Sequence, residues 1–473
     1  MDQGKEPEKT DIVEWASLDD PDHPQNLSKP MKWFVTLTYG LMTFVVTFAS
    51  SVFSTANEAT SAEFHVSIEV MTLATALTVL GFAFGPLLFG PLSEVYGRKW
   101  PLLSGFFIFA IFNIPVAVAQ NLQTIMICRF LVGFGGAAPL AIVGGGLADM
   151  FDPITRGAAV LIFAGATFMG SIAGPIIGGF VTQSYLGWRW TQWLTLIPAL
   201  VLWLVGVFFV PETFSPVLLT RRAKNLRFDT GNWALHSRHE AQRVELDAIA
   251  RTYLIRPIVM LVQEPILMLV TVYMSLIYGI LYLFFEAFPI SFNEERKWNL
   301  GVGALPFLSI AIGIILGSVV ILFHIRIRYA SIAKKHGSVP PEERLLPMML
   351  GSILLPAGLF WWAWTSNPHI LWVPQVIAGV PIGMGLVMIF LQGLNYIIDV
   401  YTRNANSAVA ANVFLRSWVG AGFTMFATGM FHNLGVPWAT SLLAFLCTAL
   451  IPVPFLFWIY GPAIRRQSKF VPS

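Results

Sequence analysis

The chain reads as a succession of long apolar runs separated by short polar loops. A helix needs about 20 mostly apolar residues to cross a hydrocarbon layer of roughly 30 Å. Twelve runs meet that length, near 33–53, 70–91, 100–119, 123–148, 158–181, 190–210, 266–290, 302–325, 346–365, 370–398, 407–431 and 437–460. One long polar interruption, Glu212 to Gln263, divides them six and six. The expected fold is an all-α integral membrane protein: twelve transmembrane helices in two pseudo-symmetric six-helix bundles, 33–210 and 266–460. A polar tail, 1–32, precedes them, a linker, 211–265, joins them, and a short tail, 461–473, follows. The linker carries Arg221, Arg222, Lys224, Arg227, Arg238 and Arg243, which predicts short amphipathic helices along the membrane surface.

Composition enters by exclusion. Hydrophobic residues make up 56% of the chain and charged ones only 12%, against roughly 25% charged in a soluble domain. A soluble core of this size lacks the polar shell it would need. The two cysteines, Cys128 and Cys447, lie in apolar runs, so neither a disulfide framework nor a thiolate metal centre is expected. The first 32 residues lack the apolar stretch of a cleavable signal peptide.

Charge sets the orientation through the excess of Lys and Arg on cytoplasmic loops. With the first tail inside, nearly all of the 29 Lys and Arg fall on the inner side. Arg189, Arg296 and Lys297 lie outside, and Arg129 and Arg416 fall within spans. Both chain ends are therefore expected in the cytoplasm.

The halves also look like copies of one another. Gly133, Gly135, Asp149, Phe151 and Ala158 recur, all displaced by the same number of positions, as Gly383, Gly385, Asp399, Tyr401 and Ala408. They fall at equivalent places in the fourth span of each half and the start of the fifth. Repeated halves facing one another are the architecture in which a midplane site opens alternately to either side by rocking.

Three motifs carry a resemblance to the major facilitator superfamily over essentially the whole chain. Gly90-Pro-Leu-Ser-Glu94-Val-Tyr-Gly97-Arg98-Lys99 resembles the family's loop signature G-x-L-x-D-R-x-G-R-K, with Glu for Asp and Val95 for the first Arg. Glycines let such a loop turn tightly, and Arg98 and Lys99 can bridge to neighbouring helix ends, a latch for the outward-open state. Arg129 with Gly133 and Gly136 resembles the fourth-span element R-x-x-x-G. Gly170-Ser-Ile-Ala-Gly174-Pro175-Ile-Ile-Gly178-Gly179 matches the fifth-span signature of drug–proton antiporters, G-x-x-x-G-P-x-x-G-G. Small residues at that spacing allow close helix approach, and Pro175 removes a backbone donor. In the second half, the runs from Tyr278 to Pro289, Asn395 to Arg403 and Ala411 to Ser417 look like the fungal twelve-span drug–proton antiporters, a group with polyamine and cycloheximide-type exporters. The resemblance, and not the composition, implies export and a proton as coupling ion.

Candidate chemistry centres on Glu286, a carboxylate in an otherwise uncharged run, with Tyr282, Tyr278, Gly279, Ser275 and Thr271 close by at helical spacing. It is expected to carry a proton or neutralise a cationic substrate; a wetted position at the outer end of the span is the bland alternative. Arg129 either faces a cavity, for coupling or substrate orientation, or ties backbone carbonyls together. Arg416 lines up with Asn412 and Gly420 and is expected to face the centre, where a switchable pair with Glu286 would couple proton to substrate. A stripe of Thr36, Tyr39, Thr43, Thr47, Ser50 and Ser54 faces either the cavity or its own helix backbone. Gln375, Gln392 and Asn395 are weaker candidates. Phe284, Phe285, Trp361 and Trp362 either line an apolar pocket or face lipid. Asp149 and Asp399, at helix ends, read as gates or latches.

No nucleophile–base set, metal-ligand motif or phosphate loop falls at consistent depth, so the chain is expected to be no enzyme, to need no cofactor or metal, and to draw on an ion gradient. The main reading is a proton-coupled exporter of drugs, toxins or metabolites, and its close alternative an exporter of organic anions built on Arg129 and Arg416. A transporter-like nutrient sensor is the reading from another class. Expected partners are a small-molecule substrate and the lipid bilayer, with no nucleic acid. A monomer in the plasma membrane is expected, with the vacuolar membrane as alternative.

Overall fold

The computed structural model describes residues 11–17, 19–241, 255–336, 339–466, 468 and 470. The first ten residues, the linker segment 242–254 with Arg243, and residues 467, 469 and 471–473 of the last tail lie outside the described residues. Among the described residues there is no β-strand, and apolar helices of membrane-spanning length dominate.

Spans 1 to 6 are Lys29–Val52, Ile68–Val95, Lys99–Ala117, Leu122–Met150, Pro153–Gln183 and Arg189–Phe209. Spans 7 to 10 are Pro265–Phe288, Phe307–His324, Leu345–Trp364 and Trp372–Val400. Helix Ala405–Leu450 is one continuous stretch that breaks at Gly435, whose φ is +74° with Pro437 behind it. That left-handed residue separates span 11 from span 12, and the chain continues in helix Pro452–Arg465. Twelve spans therefore arise from eleven helical stretches. Side chains such as Phe208, Phe209, Phe323 and Trp438 point outward, as they must where the solvent is lipid.

The repeat visible in the sequence is a repeat of packing. Gly133 of span 4 lies so close to Thr78 of span 2 that a Cβ would overlap its carbonyl, and Gly383 of span 10 stands in the same way against Ile310 of span 8. Gly135 likewise meets Gly105 and Phe109 of span 3, and Gly385 meets Leu355 of span 9. Small residues at these crossings let dispersion contacts replace the hydrophobic drive that lipid cannot supply.

The face that carries the described parts of both tails and of the linker is here called the tail face. The first tail is folded there, against the linker helix Ser215–Thr230. Trp15 Nε1 donates to Ser215 Oγ at 2.8 Å, and Arg222 Nη1 pairs with the buried Asp20 at 2.6 Å. That guanidinium holds the Asp20 carboxyl below the usual carboxylate range. Val13 N donates to the His236 carbonyl, His236 N donates to that of Asp11, both at 2.9 Å, and Arg238 pairs with Glu14. Within the linker, helix Arg256–Gln263 buries Pro257 and Met260 and exposes Ile258 and Val262. Helix Ser215–Thr230 instead finds its cover in the first tail.

Candidate functional site at the seam between the halves

The two halves touch at three depths. On the tail face Asn406, at the start of span 11, hydrogen-bonds Glu94 at the end of span 2. At mid-depth Phe84 of span 2 meets Phe414 and Trp418 of span 11, and Phe168 of span 5 meets Phe390 of span 10 at 5.2 Å. On the opposite face Gly301 N donates to Gln183 Oε1, and Asn57 Nδ2 donates to Glu286 Oε1 at 3.3 Å.

Glu286 is half-buried near the end of span 7, just before Phe288, and belongs to the outer part of the seam and not to mid-span. Its partner Asn57 opens the short helix Asn57–Phe64 that follows span 1. The expected pair between Glu286 and Arg416 does not form. Arg416 lies instead over two rings of its own half, its Cζ 5.0 Å from the Tyr278 centroid and 4.8 Å from that of Phe390. It is buried, and its guanidinium has no hydrogen bond or ion pair to any described residue; Nε is fully enclosed and unmet. The physical reason is reach: successive turns of span 7 carry Tyr278, Tyr282 and Glu286 progressively away from Arg416.

Tyr282 connects the halves directly. Its hydroxyl lies 2.9 Å from Ser50 Oγ of span 1 and 3.4 Å from the Tyr278 hydroxyl. The Thr and Ser hydroxyls of the rest of the span 1 stripe bond back to their own helix, Thr36 to Lys32, Thr43 to Tyr39, Thr47 to Thr43 and Ser54 to Ser51, while the Tyr39 hydroxyl is enclosed and unmet. Ser50 alone of that stripe is given a side-chain partner in the other half among the described residues. The polar face of span 7 also divides. Thr271 Oγ1 accepts from Asn412 Nδ2 of span 11, and Gly279 packs on Phe423 of the same helix.

Arg129 is fully buried inside the first half, where Nη1 donates to the Ala49 carbonyl at 2.9 Å and Nε to that of Ala74 at 3.3 Å. Its Cζ lies 4.6 Å from the Phe53 ring. Of the two readings open in the sequence, the backbone tie is the one the geometry contains. Gln375 Nε2 donates to Ser291 Oγ at 2.7 Å, and its Oε1 accepts from Arg296, which places it in an outer-face network. Gln392 is fully buried with both amide atoms unmet, and Asn395 is half-buried without a hydrogen bond to a described residue. Phe284, Phe285 and Trp362 pack inside the second half, while Trp361 points outward.

The fifth-span glycines are seam and helix-crossing residues. At Gly170 and Gly174 a Cβ would overlap the Phe44 carbonyl and Ser51 Oγ of span 1. At Gly178 it would stand 2.5 Å from Thr55 Oγ1, and at Gly179 2.8 Å from the Leu300 carbonyl of the other half. Pro175 sits within this helix. The motif thus presses span 5 onto span 1 and delivers its last glycine to the seam.

On the tail face Arg98 Nε pairs with Asp149 Oδ2 at 2.9 Å, and its Nη1 donates to Ser93 Oγ. Gly97 turns the loop with φ +93°, a left-handed conformation that favours glycine. Gly90 lies within span 2 and not in the loop, and a Cβ there would meet nothing within 4 Å. Lys99 Nζ donates to the Val207 carbonyl of span 6. Sequence reasoning missed Glu212, whose carboxylate accepts from the backbone N–H groups of Arg98, Lys99, Thr213 and Phe214 at 2.8–3.2 Å. It named Asp399 as a latch residue but missed the partners on that side: Arg344 Nε pairs with Asp399 Oδ2 at 2.9 Å, beside a bidentate pair of Arg465 with Glu342 at 2.8 and 3.0 Å. The displacement that relates Asp149 to Asp399, extended to Arg98, would have pointed to the neighbourhood of Arg344.

Among the described residues no group of three His, Cys, Asp or Glu is placed to hold a metal ion.

Three comparisons bear on this arrangement. The family model described as Major Facilitator Superfamily matches residues 39–425. The MFS-type transporter traF of Penicillium crustosum is 55% identical over 467 residues, covering 98% of this chain and 95% of that protein. The citrinin biosynthesis cluster MFS transporter mrr1 of Monascus ruber is 54% identical, covering 99% of this chain and 95% of that one. Among solved structures, the proton:xylose symporter XylE from E. coli superimposes with a TM-score of 0.65 at 15% identity, covering 92% of this chain and 96% of that one. At that identity the likeness speaks for the fold alone.

Proposed function

Since the chain belongs to the major facilitator superfamily, whose members are transporters and not enzymes, we propose that it is a proton-driven exporter of a small organic molecule of secondary metabolism. The observation that carries the proton is the Glu286–Asn57 contact. A carboxylate that bonds across the seam only on the outer face is placed to take a proton there and to change the hold of one half on the other. The name of the mrr1 relative, which ties it to a citrinin biosynthesis cluster, supports a secondary metabolite as cargo. The tail face is the cytoplasmic one, in the plasma membrane, and the proton gradient supplies the energy without a cofactor. The latches at Arg98–Asp149 and Arg344–Asp399, with Glu94–Asn406 between the halves, hold that face closed when the outer face opens. The chain works as a monomer, since the seam lies within one chain.

The test is transport into sealed vesicles whose outer surface carries the tail face and whose lumen is acidified. The panel is citrinin, a fluorescent cation, spermidine and succinate. Accumulation of an organic probe that collapses with the pH gradient is expected. Accumulation unaffected by a protonophore, or none of any probe by folded protein, would contradict the reading.

A further inference from the structure

A guanidinium keeps its charge in any protein environment, and a buried charge in a membrane span is costly unless something compensates it. Arg129 leaves Nη2 enclosed and unmet, yet it donates from Nε and Nη1 to the Ala74 and Ala49 carbonyls. Arg98 and Arg344 are compensated by Asp149 and Asp399. Arg416 is the exception within the spans. Among the described residues it has no hydrogen-bond acceptor, only the faces of Tyr278 and Phe390; its Nε is enclosed and unmet, and the carboxylate named by the sequence, Glu286, lies further along span 7 and is engaged with Asn57. A ring face compensates part of a cation's desolvation and leaves its in-plane N–H groups free for a planar anion.

The surroundings of Arg416 fit such an anion. Phe390 meets Phe168 of the opposite half, and Tyr278 is linked through Tyr282 to Ser50 of span 1, so the guanidinium sits where the halves meet at mid-depth. The walls are aromatic and the hydroxyls few, which suits flat rings by offset or edge contact. Gln392, on the same helix as Phe390, is fully buried with both amide atoms unmet, a second polar group without a protein partner.

We propose that Arg416 is the anchor of a binding site for planar aromatic carboxylates or phenolates, with Tyr278, Phe390 and Phe168 against the ring system. This rests on the export reading for its place in a transport cycle, yet divides the labour differently from the sequence expectation: Glu286 serves the proton and Arg416 the cargo, with no ion pair between them.

The test is equilibrium binding to the purified full chain in lipid nanodiscs, with no gradient present. Three probes share one ring and differ in charge: 2-naphthoate, 2-naphthamide and 2-naphthylmethylammonium. Wild type is expected to bind naphthoate at least about tenfold more tightly than either other probe. Arg416→Gln should lose that preference while keeping the wild-type melting temperature within a few degrees, and Arg416→Lys, which keeps charge without the planar fork, should retain part of it. Equal binding of the three probes, no saturable binding of any by folded wild type, or an unchanged preference in Arg416→Gln would overturn the proposal. If Arg416→Gln fails to fold, the Arg416→Lys comparison decides: a preference undiminished in that variant contradicts a forked contact. Because no gradient is used, failure of proton-driven transport would sink the export reading and leave this assignment standing.

Discussion

Asn57 donates a hydrogen bond to Glu286 across the outer seam at 3.3 Å, joining the helix after span 1 to the end of span 7. Asn57 is a positioning group and Glu286 the titratable one, so their substitutions should separate. Asn57→Ala removes the hydrogen bond to Glu286, worth about 1 kcal/mol, together with a long one to Thr72 Oγ1 inside the first half, and is expected to slow transport roughly fivefold while leaving it dependent on the pH gradient. An Asn57→Ala protein that loses gradient dependence altogether would place the proton step elsewhere. Initial rates at several imposed gradients make the distinction.

The two tail-face latches should behave as coupled pairs. Arg98 and Asp149 are largely buried, and removing one partner of such a pair typically costs about 3 kcal/mol. In a double-mutant cycle, Arg98→Ala with Asp149→Ala is expected to cost less than the two single changes added together, by about 1–3 kcal/mol. Thermal unfolding in nanodiscs reads this, and strict additivity would mean that the pair is not a unit. Arg344 and Asp399 should give the same result.

Gly97→Ala is expected to weaken the first latch without touching its ion pair. A left-handed backbone costs a residue with a Cβ about 1–2 kcal/mol, and the new atom would press on the Glu212 carboxylate. Gly90→Ala is the matched control, with nothing within 4 Å of its Cβ. A lower melting temperature for the first variant alone is the expected result.

Gly174→Val tests the close approach of span 5 to span 1. Its side chain would overlap Ser51, so a loss of about 2 kcal/mol or more is expected, and no rescue from lipid, which offers no alternative packing. Gly165→Val, at an open position of the same helix, should be tolerated. Comparable melting points for the two would show that the stripe is not a packing device.

The folded first tail gives a prediction of its own. Asp20→Asn breaks the pair with Arg222, and faster amide hydrogen exchange is expected at Val13 and His236, whose N–H groups tie the tail to the linker. Unchanged exchange would mean that the remaining contacts, Trp15 with Ser215 and Arg238 with Glu14, hold the tail without the Asp20 pair.

Length and hydropathy made the spans legible, because a bilayer fixes how long an apolar helix must be. The repeat was legible from Gly133 and Gly383, since only glycine fits both crossings. What could not be read was direction in space. Helical spacing aligned Glu286 with Tyr282 and Arg416 with Asn412, yet it could not say that span 7 turns Glu286 toward Asn57 and leaves Arg416 to Tyr278 and Phe390. The hydroxyl stripe of span 1 misled for a local reason: Thr and Ser satisfy themselves on the preceding turn. Glu212, Glu342 and Arg465 escaped notice because their roles depend on partners more than a hundred residues away.

The most direct test of the central claim is proton flux in proteoliposomes loaded with a pH-sensitive dye, comparing wild type with Glu286→Gln and using citrinin and 2-naphthoate as probes. Wild type should move protons in exchange for the probe, in the opposite direction. The variant should still exchange labelled for unlabelled probe across the membrane while carrying no proton and building no gradient-driven accumulation. Wild-type proton flux in Glu286→Gln would contradict the assignment of the proton to Glu286.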